Sequence, residues 1–292
     1  MSRAMRIIIG YDGSECADRG IKDLERAGIP EGSDVLVLSV AEWFPVPIGV
    51  GGSEGIGLEP TESGELAVEL ARRGAAIVKS THPTWNVTSE GYTGSPAHEI
   101  VRRAEEWGAE LIVVGSHGRG AVGRLLLGSV SQQIIHSAHS SVRIARPNDE
   151  KSADAPLRLI LAVDGSGYSE VILDALLLRS WPTGTVVHIL SSAEFSYDSE
   201  EEESILTRLT LLHQNISEKL SQSGFEVEST IDTKMMHPKR MILVEAERSN
   251  ADCIFMGARG LSGFERFILG SISTGVAMQA KCSVEIVHKA TE

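Results

Sequence analysis

The chain has 292 residues, 42% of them hydrophobic and 23% charged, with a formal net charge of −13. That length suits two domains of about 150 residues, each able to bury a core, and the composition excludes wholesale disorder. The acidic balance argues against nucleic acid and against an anionic membrane surface, because both are bound through clustered positive charge.

From the N-terminus, residues 6–11 read as a first strand, followed by Asp12-Gly13-Ser14, and residues 35–40 as a second strand ending on Val40. A glycine-rich stretch from Gly49 to Gly57 precedes a third strand over 85–92. Ser95 and Pro96 then open a helix as N-cap and first-turn residue, with Ile100, Val101, Ala104 and Trp107 along one face. A fourth strand over 111–115, a helix over 129–138 and a fifth strand over 142–145 complete the unit.

The chain then repeats itself. Asp12-Gly13-Ser14 recurs as Asp164-Gly165-Ser166 at an offset of 152, whereas Gly115, Gly118, Gly128 and Ser129 recur as Gly257, Gly260, Gly270 and Ser271 at 142. Pro96 and Pro238 keep the shorter offset, so the second copy lacks ten residues, expected within 45–65. A polar seam bracketed by Pro147 and Pro156 divides the chain into a first domain over 1–147, a linker over 148–155 and a second domain over 156–292. Short, continuously apolar strands alternating with helices predict two tandem α/β domains, each a doubly wound parallel sheet. Ligands of such sheets sit at the carboxyl ends of the strands, near the topological switch point.

The glycines after each fourth strand carry the chemistry. Gly115-x-x-Gly118 and Gly257-x-x-Gly260 let the backbone turn sharply and approach a ligand without an intervening Cβ. Nine residues later, Gly128-Ser129 and Gly270-Ser271 open helices whose unpaired N–H groups and positive dipole end suit an anion. Ser129, Ser131, Ser271 and Ser273 add hydroxyls, and Val130 and Ile272 lie between them. Arg119 and Arg124, or Arg259 and Arg266, are candidate sources of further positive charge.

This pattern of G-x-x-G, nine residues and G-[ST], with an Asp ending strand one, resembles the ATP-binding branch of the universal stress protein family in its tandem form. The resemblance implies Rossmann-like five-stranded sheets of order 3-2-1-4-5. It also implies association through the last strands, as a pseudo-dimer of the two copies and as a homodimer between chains. It places adenosine near Asp12 and Asp164, adenine on the main chain of Val40 and Ser192, and ribose and phosphates on the glycines and serines named above. The cofactor it implies is ATP, with ADP or AMP as alternatives, carrying Mg2+ or Mn2+ on its phosphates. Both copies are expected to bind. The second copy departs in having Ala258 for Ser116, Leu261 for Arg119 and, at a constant offset, Met236 for Gly94.

Rival motifs are weaker. Gly118-x-Gly120-x-x-Gly123 follows a strand but has no acidic residue about 20 positions on to hold a ribose, and no P-loop occurs. His136-x-x-His139 reads as a helix-end pair, and Met235-Met236-His237 as packing, so no metal ligands or catalytic residues are assigned. The acidic run from Asp198 to Glu203 reads as a solvated helix start. Cys16 and Cys253 read as apolar filler, and Ser14 and Ser166 as caps or turn residues. Three isolated cysteines point to a reducing cytoplasm, and no apolar run approaches the ~20 residues of a membrane span. The expected function is a cytoplasmic stress or signalling protein with ATP as a switch ligand. A slow ATPase or phosphotransferase and a nucleotide-free interaction scaffold are the alternatives.

Overall fold

The computed structural model of the chain describes residues 3–42, 60–118, 127–147, 151, 155–193, 199–233, 236–260 and 269–289, with backbone alone at 60–61 and 199–202. The first repeat runs β1 (Arg6–Gly10), α1 (Glu15–Asp23), β2 (Asp34–Ala41), α2 (Pro60–Thr81), β3 (Asn86–Thr93), α3 (Pro96–Trp107), β4 (Leu111–Gly115), α4 (Ser129–Ser137) and β5 (Ser141–Ala145). The second runs β6 (Arg158–Ala162), α5 (Tyr168–Leu177), β7 (Val186–Ser192), α6 (Ser199–Gln222), β8 (Glu226–Asp232), α7 (Pro238–Arg248), β9 (Cys253–Gly257), α8 (Ser271–Gln279) and β10 (Ser283–Val287). Most of the linker and all of 49–57 fall outside the described residues, as do Arg119, Arg124, Met235, Leu261 and Arg266.

Local sequence explains these boundaries. Ser14 caps α1 by accepting from Ala17 N at 3.1 Å. Ser95 occupies the N-cap of α3 in extended backbone, but its side chain makes no capping bond; Pro96 in the first turn and Gly108 at φ +67° set the two ends. Leu111, Ile112 and Val113 of β4 are fully buried, as the continuous apolar run predicts. The edge strands β3 and β8 are mostly half-exposed or exposed, and their sequences are correspondingly polar.

All ten strands form one sheet of order β3-β2-β1-β4-β5-β10-β9-β6-β7-β8. Each repeat is parallel with order 3-2-1-4-5, and the two join where β10 pairs antiparallel with β5. The joining register is Val284 opposite Ile144, Glu285 opposite Arg143 and Ile286 opposite Val142. One apolar core runs across this seam under α3, α4, α7 and α8, and includes Val142, Ile144, Val284 and Ile286. The opposite face holds two separate cores, around Ile7, Ile9 and Ile21 in the first repeat and around Leu159, Leu161 and Leu173 in the second.

Between those separate cores the alternate residues of the seam strands are charged. Arg143 and Glu285 are fully buried, with Arg143 Nε 2.6 Å from Asp23 Oδ2 and its Nη1 3.3 Å from Glu285 Oε2. Arg179 pairs with the other oxygen of Glu285 and donates to Ala27 O at 3.0 Å. Ser283 Oγ donates to Asp23 Oδ1 at 2.7 Å.

The repeats differ most in the long helix behind each sheet. Buried positions Ser63, Ala67, Ala71, Gly74 and Val78 on α2 have the same spacing as Ile205, Leu209, His213, Ile216 and Leu220 on α6. The first set is small, so α2 lies against β3 almost backbone to backbone: a Cβ on Gly91 would stand 2.4 Å from Val68 N. The matching offset of 142 places the missing ten residues before α2, between β2 and Ser63, inside the interval expected from sequence.

His213 is the one polar member of the α6 set. Ser191 Oγ donates to Val163 O at 2.6 Å, so it accepts from His213 Nε2 at 2.8 Å, and Ser229 Oγ then donates to Nδ1 at 2.7 Å. This pattern fits a neutral imidazole, and burial pushes its pKa down to about 4. Burial lowers His82 and His288 to about 4 as well. An unfolded histidine titrates near 6.5, so the unfolded chain binds more protons between these values and stability falls as pH drops from about 6.5 toward 4. His213→Gln should flatten part of that decline in the melting temperature, as read by scanning calorimetry across the same pH range.

Candidate functional site

The crossover from β1 to β4 opens a cleft at the carboxyl ends of β1, β2 and β4 in the first repeat. Its volume is about 680 Å³, within the range of small-ligand sites. Asp12 stands just past β1, where its Oδ1 accepts from Ser14 N at 3.0 Å and Ser14 Oγ at 2.6 Å, fixing the turn into α1. A Cβ on Gly118 would lie 2.9 Å from Asp12 Oδ2, so the glycine is what lets the β4 loop reach the carboxylate. Gly115 faces Cys16 just as closely, with its would-be Cβ 3.1 Å from both Cys16 O and Sγ.

Helix α4 enters this frame by its N-terminus. Gly128 is the N-cap residue and no side chain among the described residues caps the helix, which leaves its first N–H groups at the cleft beside exposed Ser129. Gly128 N donates to Ser116 O at 2.8 Å, tying the helix start to the β4 loop. Val130 and Ser131 both line the cleft, Ser131 from a buried position where its hydroxyl donates to Gly115 O at 2.8 Å. That hydroxyl braces the glycine turn, with its proton directed to the carbonyl.

The far wall comes from Ser39, Val40 and Ala41 of β2, from Ser63, Ala67 and Leu70 of α2, and from Pro96 and Ile100 of α3. The sequence marks the α2 residues only by a stripe of small side chains at Ser63, Ala67, Ala71 and Gly74, with no signal that ties them to the site. Nor does it single out His117. That residue lines the cleft, its Nδ1 is 3.0 Å from Ser116 Oγ, and its Nε2 has no hydrogen-bond partner among the described residues. Burial, then the charge of Arg146, lowers its pKa, so the ring is neutral near pH 7. Cys16 Sγ accepts from His117 N at 3.4 Å, which makes this thiol a brace behind the cleft.

The second repeat keeps the frame with different walls. Asp164 Oδ1 accepts from Ser166 N at 2.9 Å, and a Cβ on Gly260 would lie 2.5 Å from Asp164 Oδ2. Gly270 N donates to Ala258 O at 2.9 Å, Ser273 Oγ donates to Gly257 O at 2.7 Å, and α8 starts at Ser271 with no side-chain cap and Ile272 partly buried. Tyr168 stands where the first repeat has Cys16, its Cβ 2.8 Å from the would-be Cβ of Gly257 and its ring 5.1 Å from Lys289 Nζ. Leu209 and Ile205 replace the wall residues Ala67 and Ser63.

The β8–α7 connection corrects the constant-offset pairing of Met236 with Gly94. Register ends at Ala41 opposite Thr93 in the first repeat and at Ser192 opposite Asp232 in the second, so residues 94–95 link β3 to α3, whereas 233–237 link β8 to α7. The second connection has more residues, and Ser192 Oγ donates to Met236 O at 3.4 Å, which holds Met236 at the end of β7. His136 is exposed and His139 pairs with Glu105 at 3.4 Å. No cluster of three or more His, Cys, Asp or Glu able to hold a metal occurs among the described residues. No described helix is long and apolar enough to cross a membrane.

A model of the universal stress protein family matches residues 4–146 and again 157–288. A universal stress protein of Mycolicibacterium smegmatis is 26% identical over 296 residues, covering 97% of this chain and 96% of its own. Universal stress protein Rv2005c of Mycobacterium tuberculosis is 26% identical over 304 residues, covering 97% of each. The crystal structure of a universal stress protein from Archaeoglobus fulgidus superposes with a TM-score of 0.67 at 24% identity, covering 98% of this chain and 96% of its own.

Gly118→Ala and Gly260→Ala each drive a methyl group into the neighbouring carboxylate. Each should lower stability by about 1–3 kcal/mol in urea denaturation, whereas Gly32→Ala, with open space at its would-be Cβ but φ of +71°, reports the backbone cost alone.

Proposed function

This chain belongs to the universal stress protein family, and we propose that its first repeat binds ATP in the cleft between β1, β2 and β4. The observation that carries the reading is a cleft of about 680 Å³ onto which the start of α4 opens at Gly128 and Ser129, beside Gly115 and Gly118, whose missing side chains let the β4 loop close on Cys16 and Asp12. The adenine lies on the main chain of Val40 against Ala67, and the ribose lies near Asp12. The phosphates rest on Gly118, Gly128, Ser129 and Val130, where N–H groups and the helix dipole meet negative charge. ADP and AMP compete for the same cleft. Mg2+ or Mn2+ is carried on the phosphates.

We assign occupancy to the first repeat rather than to both. Gly257, Gly260, Gly270, Ser271, Ile272 and Ser273 retain the frame around Asp164, but the larger Leu209 and Tyr168, with Met236 held against Ser192, form the walls. ATP acts as a switch ligand in a cytoplasmic stress or signalling protein. At 100 times its Kd, it adds about 2.7 kcal/mol to the stability of the repeat that holds it. Slow hydrolysis is the second reading, and the observation on its side is His117, a neutral imidazole on the cleft wall.

Calorimetric titration of nucleotide-stripped protein with ATP and Mg2+ should give one site per chain. Asp12→Ala should abolish binding and Asp164→Ala should leave it intact. Phosphate release that depends on His117 would favour the hydrolytic reading. No binding at millimolar ATP would overturn the proposal and favour an interaction scaffold.

A further inference from the structure

The seam strands are near-copies: Ser141-Val142-Arg143-Ile144-Ala145 stands at an offset of 142 from Ser283-Val284-Glu285-Ile286-Val287. Their antiparallel register is centred on Arg143 opposite Glu285, with Val142 opposite Ile286 and Ile144 opposite Val284. The pairing is thus symmetric about residues that are equivalents of one another, and at that point the two copies carry opposite charge. Both side chains are fully buried, so solvent does not screen them.

We propose that β5 and β10 form a charge-coded pairing surface that accepts the unlike repeat and rejects the like one. In the chain as folded, charges alternate along Asp23, Arg143, Glu285 and Arg179, with Arg143 Nη1 3.3 Å from Glu285 Oε2 across the seam. Pairing two first repeats would set Arg143 against a second Arg143, and pairing two second repeats would set Glu285 against a second Glu285. Either arrangement breaks the alternation and sets like charges side by side away from water, with Asp23 or Arg179 of each repeat only on their outer flanks.

Shape reinforces charge. Trp181 packs on Gly28, where a Cβ would stand 2.8 Å from the indole, and Ser180 N donates to Gly28 O at 2.8 Å. Arg179 Nη1 donates to Ala27 O at 3.0 Å. At the offset of 152, Ala27 and Arg179 are equivalents, as are Gly28 and Ser180, and Ile29 and Trp181. Two second repeats would therefore bring two Arg179 side chains together and set each Trp181 ring against Ser180, with no glycine to receive it. Two first repeats would leave the Gly28 hollow without its indole. The partner this surface fits is the other repeat, in the same chain or exchanged from a second copy.

The test uses full-length chains with two distinguishable affinity tags. Arg143→Glu gives a chain with two acidic seam strands, and Glu285→Arg gives one with two basic seam strands. Co-expressed, each supplies what the other lacks, and the second repeat of the Arg143→Glu chain meets the first repeat of the Glu285→Arg chain with the native set of charges. Tag exchange between the two variants should exceed that of wild type with itself, or of either variant with itself, by about tenfold or more, the factor that 1.4 kcal/mol represents. Rescue of two individually insoluble variants by co-expression is the same result in another form. Two soluble, monomeric variants that do not exchange when mixed would overturn the proposal. So would equal self-association of each variant, or a pair that stays insoluble together.

Discussion

The antiparallel contact between β5 and β10 is the interaction on which the rest of the molecule depends. A single repeat would end in an edge strand with Val142 and Ile144 facing one side and Arg143 the other, its backbone groups unpaired. Joining the two edges turns two five-stranded sheets into one of ten and continues a single apolar core beneath four helices. The same contact converts two buried charges from liabilities into partners. Removing either would leave an unbalanced charge in the buried row with Asp23 and Arg179, so the pair constrains which surfaces meet more than it adds net stability.

The glycine frames show how one pattern serves two purposes. In both repeats the glycine after the fourth strand has its carbonyl held by a buried serine hydroxyl, and the glycine before the next helix donates to the loop. Those bonds organise the strand-to-helix connection whatever occupies the space beside it. Retention of the frame is therefore a property of the turn. The room for a ligand is decided elsewhere, by whether the long helix presents Ala67 or Leu209 and whether α1 or α5 begins with Cys16 or Tyr168.

That division explains what was legible in the sequence. The duplication, the strand positions and the places of Asp12, Gly118 and Gly128 follow from local signals: short apolar runs, turn residues and fixed spacing; the sheet order is legible only through the family resemblance. His117 and the α2 wall did not, because nothing in the linear spacing brings α2 over the ends of β1 and β2. The pairing of Met236 with Gly94 went astray for a related reason. A constant offset hides a shorter α6–β8 connection balanced by a longer β8–α7 one, and only strand register separates them. Ser131 carries the right residue type for phosphate, but its rotamer is committed to a carbonyl that the sequence does not place nearby.

The centre of the seam also limits how far the two copies can be alike. A residue on the two-fold axis of a symmetric pair faces its own copy, so a buried charge of either sign there meets its like. In this chain Arg143 faces Glu285 instead, and that one position makes the join between two otherwise similar strands directional. The seam thus keeps the geometry of a symmetric contact while its chemistry is asymmetric.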